Sequence, residues 1–290
     1  RGFCCARGWA GTPNTMSSKS VIVIGGGLAG LSSAVALAEA GFRVRLLEKR
    51  PHLGGRAASY VLPGGEHVDN CQHVTLGCCT NLEDFYRRAG VADKIRFFDR
   101  LQFAAPNGRR GSMAASPLPA PLHLAPSFAS FPLLGWADKR AIARALLEIA
   151  RSGGHPADIS SGAAAVTRLA WLQKRHQTDR ALRCFWEVIL VSALDEELGR
   201  IDARYGIDVF WKAFLSTRRG YRIGIPRVPL GELYDGCREA VVRRGGEVLL
   251  RAGVRGFCVT DQRVEGVARD DGSVETADYY LSAVPQDTLP

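Results

Sequence analysis

A four-residue apolar segment, "VIVI", leads directly into the glycine-rich sequence Gly25-x-Gly27-x-x-Gly30. This pattern predicts a strand that ends in a tight turn. Gly25 permits the turn, Gly27 lets a phosphate approach the backbone, and Gly30 lets the following helix pack closely on the strand. A second apolar strand ends at Glu48, where a carboxylate can accept hydrogen bonds from ribose hydroxyls. A glycine-rich turn alone would not need that second strand and acid, so the segment predicts a dinucleotide-binding βαβ unit.

The composition is that of a globular protein. Of the 290 residues, 46% are hydrophobic, enough for one large domain or two ordinary ones. The net charge is +9, from 38 Lys and Arg against 29 Asp and Glu, and such a charge can attract nucleic acid, anionic lipid or phosphate groups. The basic residues are scattered singly or in pairs, without a block of like charge. Nucleic-acid binding is therefore not predicted.

The eight cysteines form neither a disulfide pattern nor a metal-ligand pattern. No Cys-x-x-Cys pair occurs, and Cys71, Cys78 and Cys79 are not joined to histidine at ligand spacing. We therefore predict no metal site, and reduced thiols that pack in a cytoplasmic protein. The long uncharged run Gly111–Ala137 contains five prolines and is not predicted to span a membrane.

A second glycine pair follows the ribose acid, in the sequence Gly54-Gly55-Arg56. It resembles the second motif of the flavoprotein family of amine oxidases and carotenoid desaturases, where a Gly-Gly-Arg stretch sits against the FAD pyrophosphate. The resemblance implies that FAD is the cofactor and that Gly55 and Arg56 help to bind it. The residue chemistry agrees, because glycine allows close approach and a guanidinium pairs with phosphate oxygens.

Residues 66–79, "EHVDNCQHVTLGCC", contain a string that resembles the "DNGQH" segment of hydroxysqualene dehydroxylases, the squalene-associated flavoenzymes of bacterial hopanoid synthesis. Cys71 stands where their pattern has glycine, and a positive φ there would strain a cysteine. The resemblance implies that the segment lines the cofactor. His73 is the candidate proton donor, with a structural histidine as the alternative. Asp69 and Gln72 are expected to satisfy backbone groups instead.

The resemblance to the dehydroxylases continues through "RLQF", "SPLPAPLHLAPSF", "FWEVILVSALDEEL" and "RRGYRIGIPRVPLGELY". It implies an α/β fold, in which a Rossmann-like FAD-binding domain of the Gly-Gly-Arg type carries an inserted, mainly helical substrate domain. By the same resemblance, Val254 contacts the adenine through its backbone. The expected bounds are a leader (1–15), the first part of the FAD-binding domain (16–115), the helical substrate or cap domain (116–230) and the second part of the FAD-binding domain (231–290). Family members continue with a later Gly-Asp-containing segment, so the C-terminal part of the fold is expected to be missing.

Local patterns predict the remaining elements. Apolar residues recur at helical spacing between Trp136 and Ser216, and the pairs Asn107-Gly108 and Asp271-Gly272 predict hairpin turns. The Pro-rich run 117–132 is uncharged and has two interpretations. It is either a surface connector or an apolar entrance that touches a membrane surface.

The dehydroxylase resemblance implies reductive dehydroxylation of hydroxysqualene to squalene, with FAD carrying the redox chemistry and a hydrophobic isoprenoid as substrate. A phytoene-desaturase-type oxidoreductase, an amine oxidase and a truncated, non-catalytic flavin-binding protein are the alternatives. The electron donor, the direction of the redox chemistry and the oligomeric state do not follow from the sequence. The expected location is the cytoplasm, with peripheral membrane contact as an open alternative.

Overall fold

The computed structural model describes residues 18–71, 73–156, 159 and 166–286. The predicted leader and the prediction for Gln72 lie outside these residues. The chain divides into two compact units. Within the described residues, the first unit comprises 18–71, 85–92 and 228–286, and the second comprises 73–84 and the described part of 93–227.

In chain order, the strands of the described residues are β1 Ser20–Ile24, β2 Arg43–Glu48, β3 Ser59–Val61, β4 His67–Asp69, β5 Thr75–Leu76, β6 Ile95–Phe98, β7 Arg100–Ala104, β8 Arg110–Ala114, β9 Ile223–Pro226, β10 Glu247–Leu250, β11 Val254–Thr260, β12 Arg263–Arg269, β13 Val274–Glu275 and β14 Tyr279–Ser282. The α-helices are α1 Leu28–Glu39, α2 Thr80–Ala89, α3 Ala125–Ala129, α4 Trp136–Arg151, α5 Arg168–Lys174, α6 Asp179–Ala181, α7 Glu187–Leu194, α8 Ala203–Phe210 and α9 Leu230–Val242. Two π-helical turns, Leu182–Trp186 and Trp211–Leu215, continue α6 and α8.

Four parallel strands form a sheet in the first unit, in the order β10-β2-β1-β14. β1 is buried at every position after its first residue, as expected of a parallel strand covered on both faces. Helix α1 buries Leu31 and Val35 and packs on β1 and β2. Ile22 and Leu47 belong to an apolar cluster of the first unit that also includes Val267 of β12. This arrangement confirms the predicted Rossmann-like α/β fold.

Two antiparallel elements complete the first unit. β3 and β4 form a hairpin, and β11, β12 and β13 form a three-stranded sheet. Asp261 and Gln262, between β11 and β12, both adopt positive φ (49° and 62°), as a two-residue hairpin turn requires. The predicted turn at Asp271-Gly272 is also present, with Gly272 at φ +87°.

The second unit is mainly helical. Helices α3 to α8 surround an aromatic core in which the Trp186 and Phe210 rings lie 4.5 Å apart. The region between Trp136 and Ser216 is helical over most of its described residues, as its apolar spacing predicts. A small sheet, β5-β9-β6, and the hairpin β7-β8 complete the unit, and Gly108 has φ +80° in the predicted turn.

The two units divide the chain differently from the predicted first boundary. The predicted FAD-binding part 16–115 includes β5 and β6, but these strands pair with β9 and belong to the second unit. The reason is a long-range pairing between segments more than a hundred residues apart in the sequence. At the other boundary, the second unit ends at residue 227, close to the predicted 230. The functional roles assigned to these domains stay predictions.

The Pro-rich run 117–132 is partly buried and partly exposed, and its predicted contact with a membrane surface stays a prediction. Leu124 and Phe131 are buried in the core of the second unit, whereas Leu118 and Leu122 are exposed. The run therefore packs as an ordered segment while presenting some apolar surface. No helix among the described residues is long and apolar enough to cross a bilayer.

Candidate functional site

The first glycine loop is built on a contact that excludes a side chain. Gly25 has φ +101°, a conformation that L-residues rarely adopt. A Cβ atom on Gly30 would lie 1.8 Å from the Gly25 carbonyl oxygen. Gly30 therefore brings the first turn of α1 directly against the end of β1, as its position in the sequence predicts.

The N-terminus of α1 is open to an anion. The helix begins at Leu28, and Gly27 precedes it without a side-chain cap among the described residues. The first amides of such a helix lack carbonyl partners within the helix and carry its positive dipole end. A Cβ on Gly27 would meet only the Gly55 Cα atom, 4.0 Å away. These features are those required for a diphosphate to approach the backbone.

The second glycine loop lies against the first. The Gly54 amide donates to the Gly26 carbonyl at 2.9 Å, and Gly54 and Gly55 both have positive φ (100° and 62°). A Cβ on Gly55 would lie 3.3 Å from the Gly27 Cα atom. Arg56 is exposed beside this junction. The structure thus brings both predicted glycine motifs together, and the role of Arg56 in binding phosphate stays a prediction.

Glu48 is buried at the end of β2, with 6% of its surface exposed. One carboxylate oxygen accepts the Gly26 amide at 2.6 Å and the other accepts the Arg50 amide at 2.8 Å. The side chain therefore ties the glycine loop to the end of β2. Each carboxylate oxygen has a further lone pair, so its predicted hydrogen bond to a ribose hydroxyl is compatible with these contacts and stays a prediction.

Glu48→Gln is expected to weaken both the fold and cofactor binding. Glutamine keeps the shape but must turn its amide NH₂ towards one of the two donating amides, leaving a buried donor facing a donor. Such a mismatch costs about 1–3 kcal/mol, and we expect at least a roughly tenfold loss of FAD affinity, by conversion of that energy. Thermal unfolding and FAD fluorescence titration measure both effects. The matched control is Glu247→Gln, because Glu247 is an exposed partner of Arg45. This variant should keep the unfolding temperature and the FAD affinity of the parent.

Val254 begins β11, two residues after a contact with the nucleotide-binding strand. The Ala252 amide donates to the Glu48 carbonyl at 2.8 Å, and the Val254 side chain packs against the cluster that contains Leu47. The structure therefore places Val254 close in the chain to the end of β2. Its predicted backbone contact with the adenine stays a prediction.

Asp69 accepts one backbone amide, as the sequence predicts, and one side-chain hydroxyl. Its Oδ1 atom accepts the Ser59 hydroxyl at 2.6 Å and the Leu230 amide at 3.1 Å. The Ser59 hydroxyl oxygen also accepts the Gly231 amide at 2.8 Å. The β3-β4 hairpin thus caps the N-terminus of α9. Cys71 is exposed and is not among the described residues with positive φ, so the condition under which a cysteine would be strained at this position is not met.

His73 lies in the second unit, just before β5. Its Nε2 atom is buried and has no hydrogen-bond partner among the described residues. A buried imidazole nitrogen without a partner retains the capacity to donate or accept a proton. This geometry suits a proton donor, and the catalytic role of His73 stays a prediction.

The two glycine loops, Gly25–Gly30 and Gly54–Gly55, together form a cradle for the cofactor. The sequence did not indicate two further residues that shape this cradle. Gly26 occupies a variable position of the motif, yet a Cβ there would lie 2.7 Å from Leu53 and 3.0 Å from Glu48. The uninterrupted glycine triplet was the available signal. Tyr234 was also missed; a Cβ on Gly54 would lie 2.5 Å from its ring. Because α9 comes far later in the chain, no local signal connects Tyr234 to that loop.

A parallel sheet with an uncapped glycine-rich helix start, a buried acid on the next strand and an adjoining second glycine pair define a dinucleotide-binding protein of the Rossmann-like class. Comparison with known proteins then identifies the family: residues 28–290 match the model of the flavin containing amine oxidoreductase family, and the chain belongs to it. The predicted cofactor, FAD, is confirmed at the level of this family. The described residues contain no group of three or more metal-ligating side chains.

Among the similar proteins are two desaturases and one solved structure. The 15-cis-phytoene desaturase of Solanum lycopersicum is 24% identical over 95% of this chain and 48% of its own length. The zeta-carotene desaturase of Synechocystis sp. is 28% identical over 91% of this chain and 57% of its own length. An oxidoreductase from Methanosarcina mazei has a TM-score of 0.65 at 19% identity, over 91% of this chain and 58% of its own. The chain thus spans about half the length of these curated relatives.

Proposed function

We propose that the chain is part of a FAD-dependent oxidoreductase that acts on a long-chain isoprenoid, and that its reaction is the reductive dehydroxylation of hydroxysqualene to squalene. The observation that carries the oxidoreductase part is the double glycine cradle. Gly27 and Gly55 approach each other without side chains, beside the first amides of α1, which have no side-chain cap among the described residues. The string "DNCQH" supports the particular reaction.

Different residues of the cradle bind different parts of FAD. The amides at the start of α1, together with Arg56, hold the diphosphate, and Gly25 and Gly30 set the backbone that presents those amides. Glu48 accepts hydrogen bonds from the ribose, and the backbone at Val254 contacts the adenine. When bound and reduced, FAD supplies the hydride that replaces the hydroxyl on the isoprenoid.

His73 acts on the oxygen that leaves. A hydroxyl is a poor leaving group, and its departure as water requires a proton as the carbon–oxygen bond breaks. The Nε2 atom of His73 is buried without a partner among the described residues, so it is available to donate that proton. Adding one hydride and one proton to the alcohol yields the hydrocarbon and water, which balances the reaction.

His73→Ala is expected to lower turnover by about 10²–10⁴-fold, the usual contribution of a general acid, while FAD affinity stays within about twofold of the parent, since His73 is assigned no cofactor contact. His73→Gln keeps a polar side chain of similar size but carries no proton that it can transfer, so turnover should stay low in this variant as well. The matched control is His67→Ala, at an exposed position of β4. Unchanged turnover in His73→Ala would remove the residue from the mechanism.

An anaerobic assay tests the proposed reaction. The purified chain is supplied with FAD, a chemical reductant and hydroxysqualene, and the products are analysed by mass spectrometry. Squalene that forms only with reduced flavin supports the proposal and sets the direction of electron flow. Bound FAD without squalene contradicts the dehydroxylase assignment but keeps the flavoprotein assignment, and absence of bound FAD contradicts both.

A phytoene-desaturase-type reaction is the second candidate. It is favoured by the similarity to the Solanum lycopersicum and Synechocystis desaturases, whose names give phytoene and zeta-carotene as substrates. Incubation of the chain with phytoene, FAD and a quinone acceptor distinguishes the two reactions. Desaturation lengthens the conjugated system, so a new visible absorption band would support this candidate, and its absence together with squalene formation would exclude it.

The partner of this enzyme would be its hydrophobic substrate. The exposed Leu118 and Leu122 of the Pro-rich run supply apolar surface through which such a chain, or the membrane that dissolves it, could make contact. Sedimentation of the chain with phosphatidylcholine vesicles tests this, since Leu118→Ser combined with Leu122→Ser should abolish any co-sedimentation that the parent shows.

A further inference from the structure

Two adjacent thiols, Cys78 and Cys79, occupy the turn between β5 and α2, and the oxidoreductase mechanism uses neither. Both are free; Cys79 is exposed and Cys78 is half-buried. Backbone hydrogen bonds fix the turn, because the Cys79 amide donates to Leu76 at 2.8 Å and the Cys78 amide donates to Gly220 at 3.2 Å. The pair is therefore held at a defined position on the surface of the second unit.

Several groups stabilise a thiolate at Cys79. Its carbonyl accepts the amides of Leu82 and Glu83, so Cys79 directly precedes the positive N-terminal end of the ten-residue helix α2. The Cys78 thiol donates a hydrogen bond to it, and the Leu76 amide and Thr75 hydroxyl add to that effect. Together these donors lower the pKa of Cys79 to about 6, against partial burial and the Glu83 carboxylate, which act in the opposite direction.

Cys78 is the second thiol of the pair, and its pKa is shifted in the opposite direction to that of Cys79. Its hydrogen bond to the Cys79 sulfur and its partial burial raise its pKa, while Lys212 opposes this weakly. Cys78 therefore stays protonated as long as Cys79 is a thiolate. Once the Cys79 sulfur is oxidised and neutral, the main cause of that raised pKa is removed, and Cys78 becomes able to react in turn.

We propose that Cys78 and Cys79 form a thiol-oxidation site that reacts with a hydroperoxide and closes to a reversible disulfide between adjacent residues. This inference is independent of the proposed isoprenoid chemistry. The geometry that carries it is an accessible thiol that directly precedes helix α2, in a turn fixed by backbone hydrogen bonds, with a second free thiol on the adjacent residue.

The reaction balances in two steps. The Cys79 thiolate attacks one peroxide oxygen, the O–O bond breaks, and the displaced oxygen takes up a proton, which leaves a sulfenic acid at Cys79 and an alcohol or water. The Cys78 sulfur then attacks the Cys79 sulfur, the S–O bond breaks, and the hydroxyl departs as water with the thiol proton. Two thiols are oxidised and one peroxide is reduced. Adjacent Cα atoms are only about 3.8 Å apart, closer than disulfides favour, so the product should be readily reduced.

Competitive alkylation of the 290-residue chain tests the reactivity of Cys79. Iodoacetamide is applied at pH 6.5 for short times, and peptide mass spectrometry compares Cys79 with the exposed thiol Cys184. The larger thiolate fraction, reduced by the lower nucleophilicity of a less basic thiolate, predicts about fivefold faster labelling of Cys79. Equal labelling of the two residues would overturn the assignment of Cys79 as the reactive thiol.

Oxidation with hydrogen peroxide tests the pairing. The parent chain should lose two hydrogens within the peptide that contains Cys78 and Cys79, and dithiothreitol should restore them. Cys78→Ser should leave a sulfenic acid at Cys79 that dimedone traps, and Cys79→Ser should show little oxidation at Cys78. Cys71→Ser is the control for the third cysteine of that peptide, and it should form the same disulfide as the parent. A disulfide that requires Cys71, or a peroxide reaction unaffected by Cys79→Ser, would overturn the proposal.

Discussion

Gly30→Ala is expected to abolish tight FAD retention and to lower the thermal unfolding temperature of the chain. The methyl group would lie 1.8 Å from the Gly25 carbonyl oxygen, and both partners are backbone, so neither can move without shifting β1 or α1. In an unhindered helix the same substitution would stabilise the protein by about 1 kcal/mol. Overpacking of this kind costs about 1–3 kcal/mol or more, so the clash outweighs the gain in helix propensity and the substitution destabilises the protein. The unfolding temperature should fall by about 5 °C.

The matched control for Gly30→Ala is Gly256→Ala, in the same unit. A Cβ at Gly256 meets nothing within 4 Å, and its φ is not positive. This variant should bind FAD like the parent and unfold at a similar temperature. Differential scanning calorimetry and FAD fluorescence titration measure the two effects. Parent-like FAD affinity in Gly30→Ala would show that the helix start is not the diphosphate site.

Arg168→Met is expected to stabilise the protein, although it removes a charged side chain from a packed core. Arg168 is fully buried, and its three guanidinium nitrogens have no hydrogen-bond partner among the described residues. The rings of Trp171, Trp186 and Phe210 lie 4.4, 4.9 and 5.8 Å from its guanidinium carbon. Desolvation, and to a smaller extent Arg175, lower the pKa of Arg168 from 12.5 to about 9.

The magnitudes decide the direction of this effect. A shift from 12.5 to about 9 corresponds to a penalty of roughly 5 kcal/mol for burying the charge. Three cation–π contacts offset about 1 kcal/mol each, so a net cost of about 2 kcal/mol remains. Methionine fills a similar volume without charge, and we expect its unfolding temperature to rise by a few degrees.

The pH dependence gives an independent check on Arg168. Its folded-state pKa lies below the unfolded value, so the penalty for the charged form is complete below pH 9 and fades as the pH rises from 9 towards 12.5. The stability difference between Arg168→Met and the parent should therefore narrow by about 1 kcal/mol between pH 7 and pH 10. Calorimetry at these two pH values measures it.

Arg175→Met is the matched control for Arg168→Met. The Arg175 guanidinium carbon lies 3.6 Å from the centre of the Trp171 ring, which Arg168 also contacts, and Arg175 donates to the Glu148 carboxylate at 2.7 Å. Removing it leaves a carboxylate without this cation, so the unfolding temperature should fall. A lower unfolding temperature in Arg168→Met as well would mean that the aromatic contacts outweigh the desolvation.

The parts of the structure that the sequence predicted are those held by local conformational requirements. The turn at Asp271-Gly272 needs a residue that tolerates positive φ, and the β1–α1 junction needs glycine at Gly25 and Gly30. These requirements act over a few residues and leave a visible pattern. The buried strand β1 and the aromatic helices of the second unit were predicted for the same reason, because burial repeats with the period of the element.

Other features depend on contacts between distant segments, which no local pattern records. β5 and β6 join β9 across more than a hundred residues, and this pairing places both strands in the second unit. Two further features also depend on distant segments. The ring of Tyr234 lies beside Gly54, and Arg168 has no counter-ion among the described residues.

The sequence by itself determined that this chain forms a Rossmann-like dinucleotide cradle, because each glycine and the terminal acid satisfy a requirement of the nearby backbone. Only the tertiary structure decided how the cradle is supported. The two carboxylate oxygens of Glu48 accept the Gly26 and Arg50 amides, and Gly55 lies against Gly27. It also decided that Cys79, one of eight cysteines, lies at a helix start with donors around it. The physical reason is that hydrogen bonds and desolvation depend on distances in space, and a residue's position in the chain does not specify which distant groups will surround it.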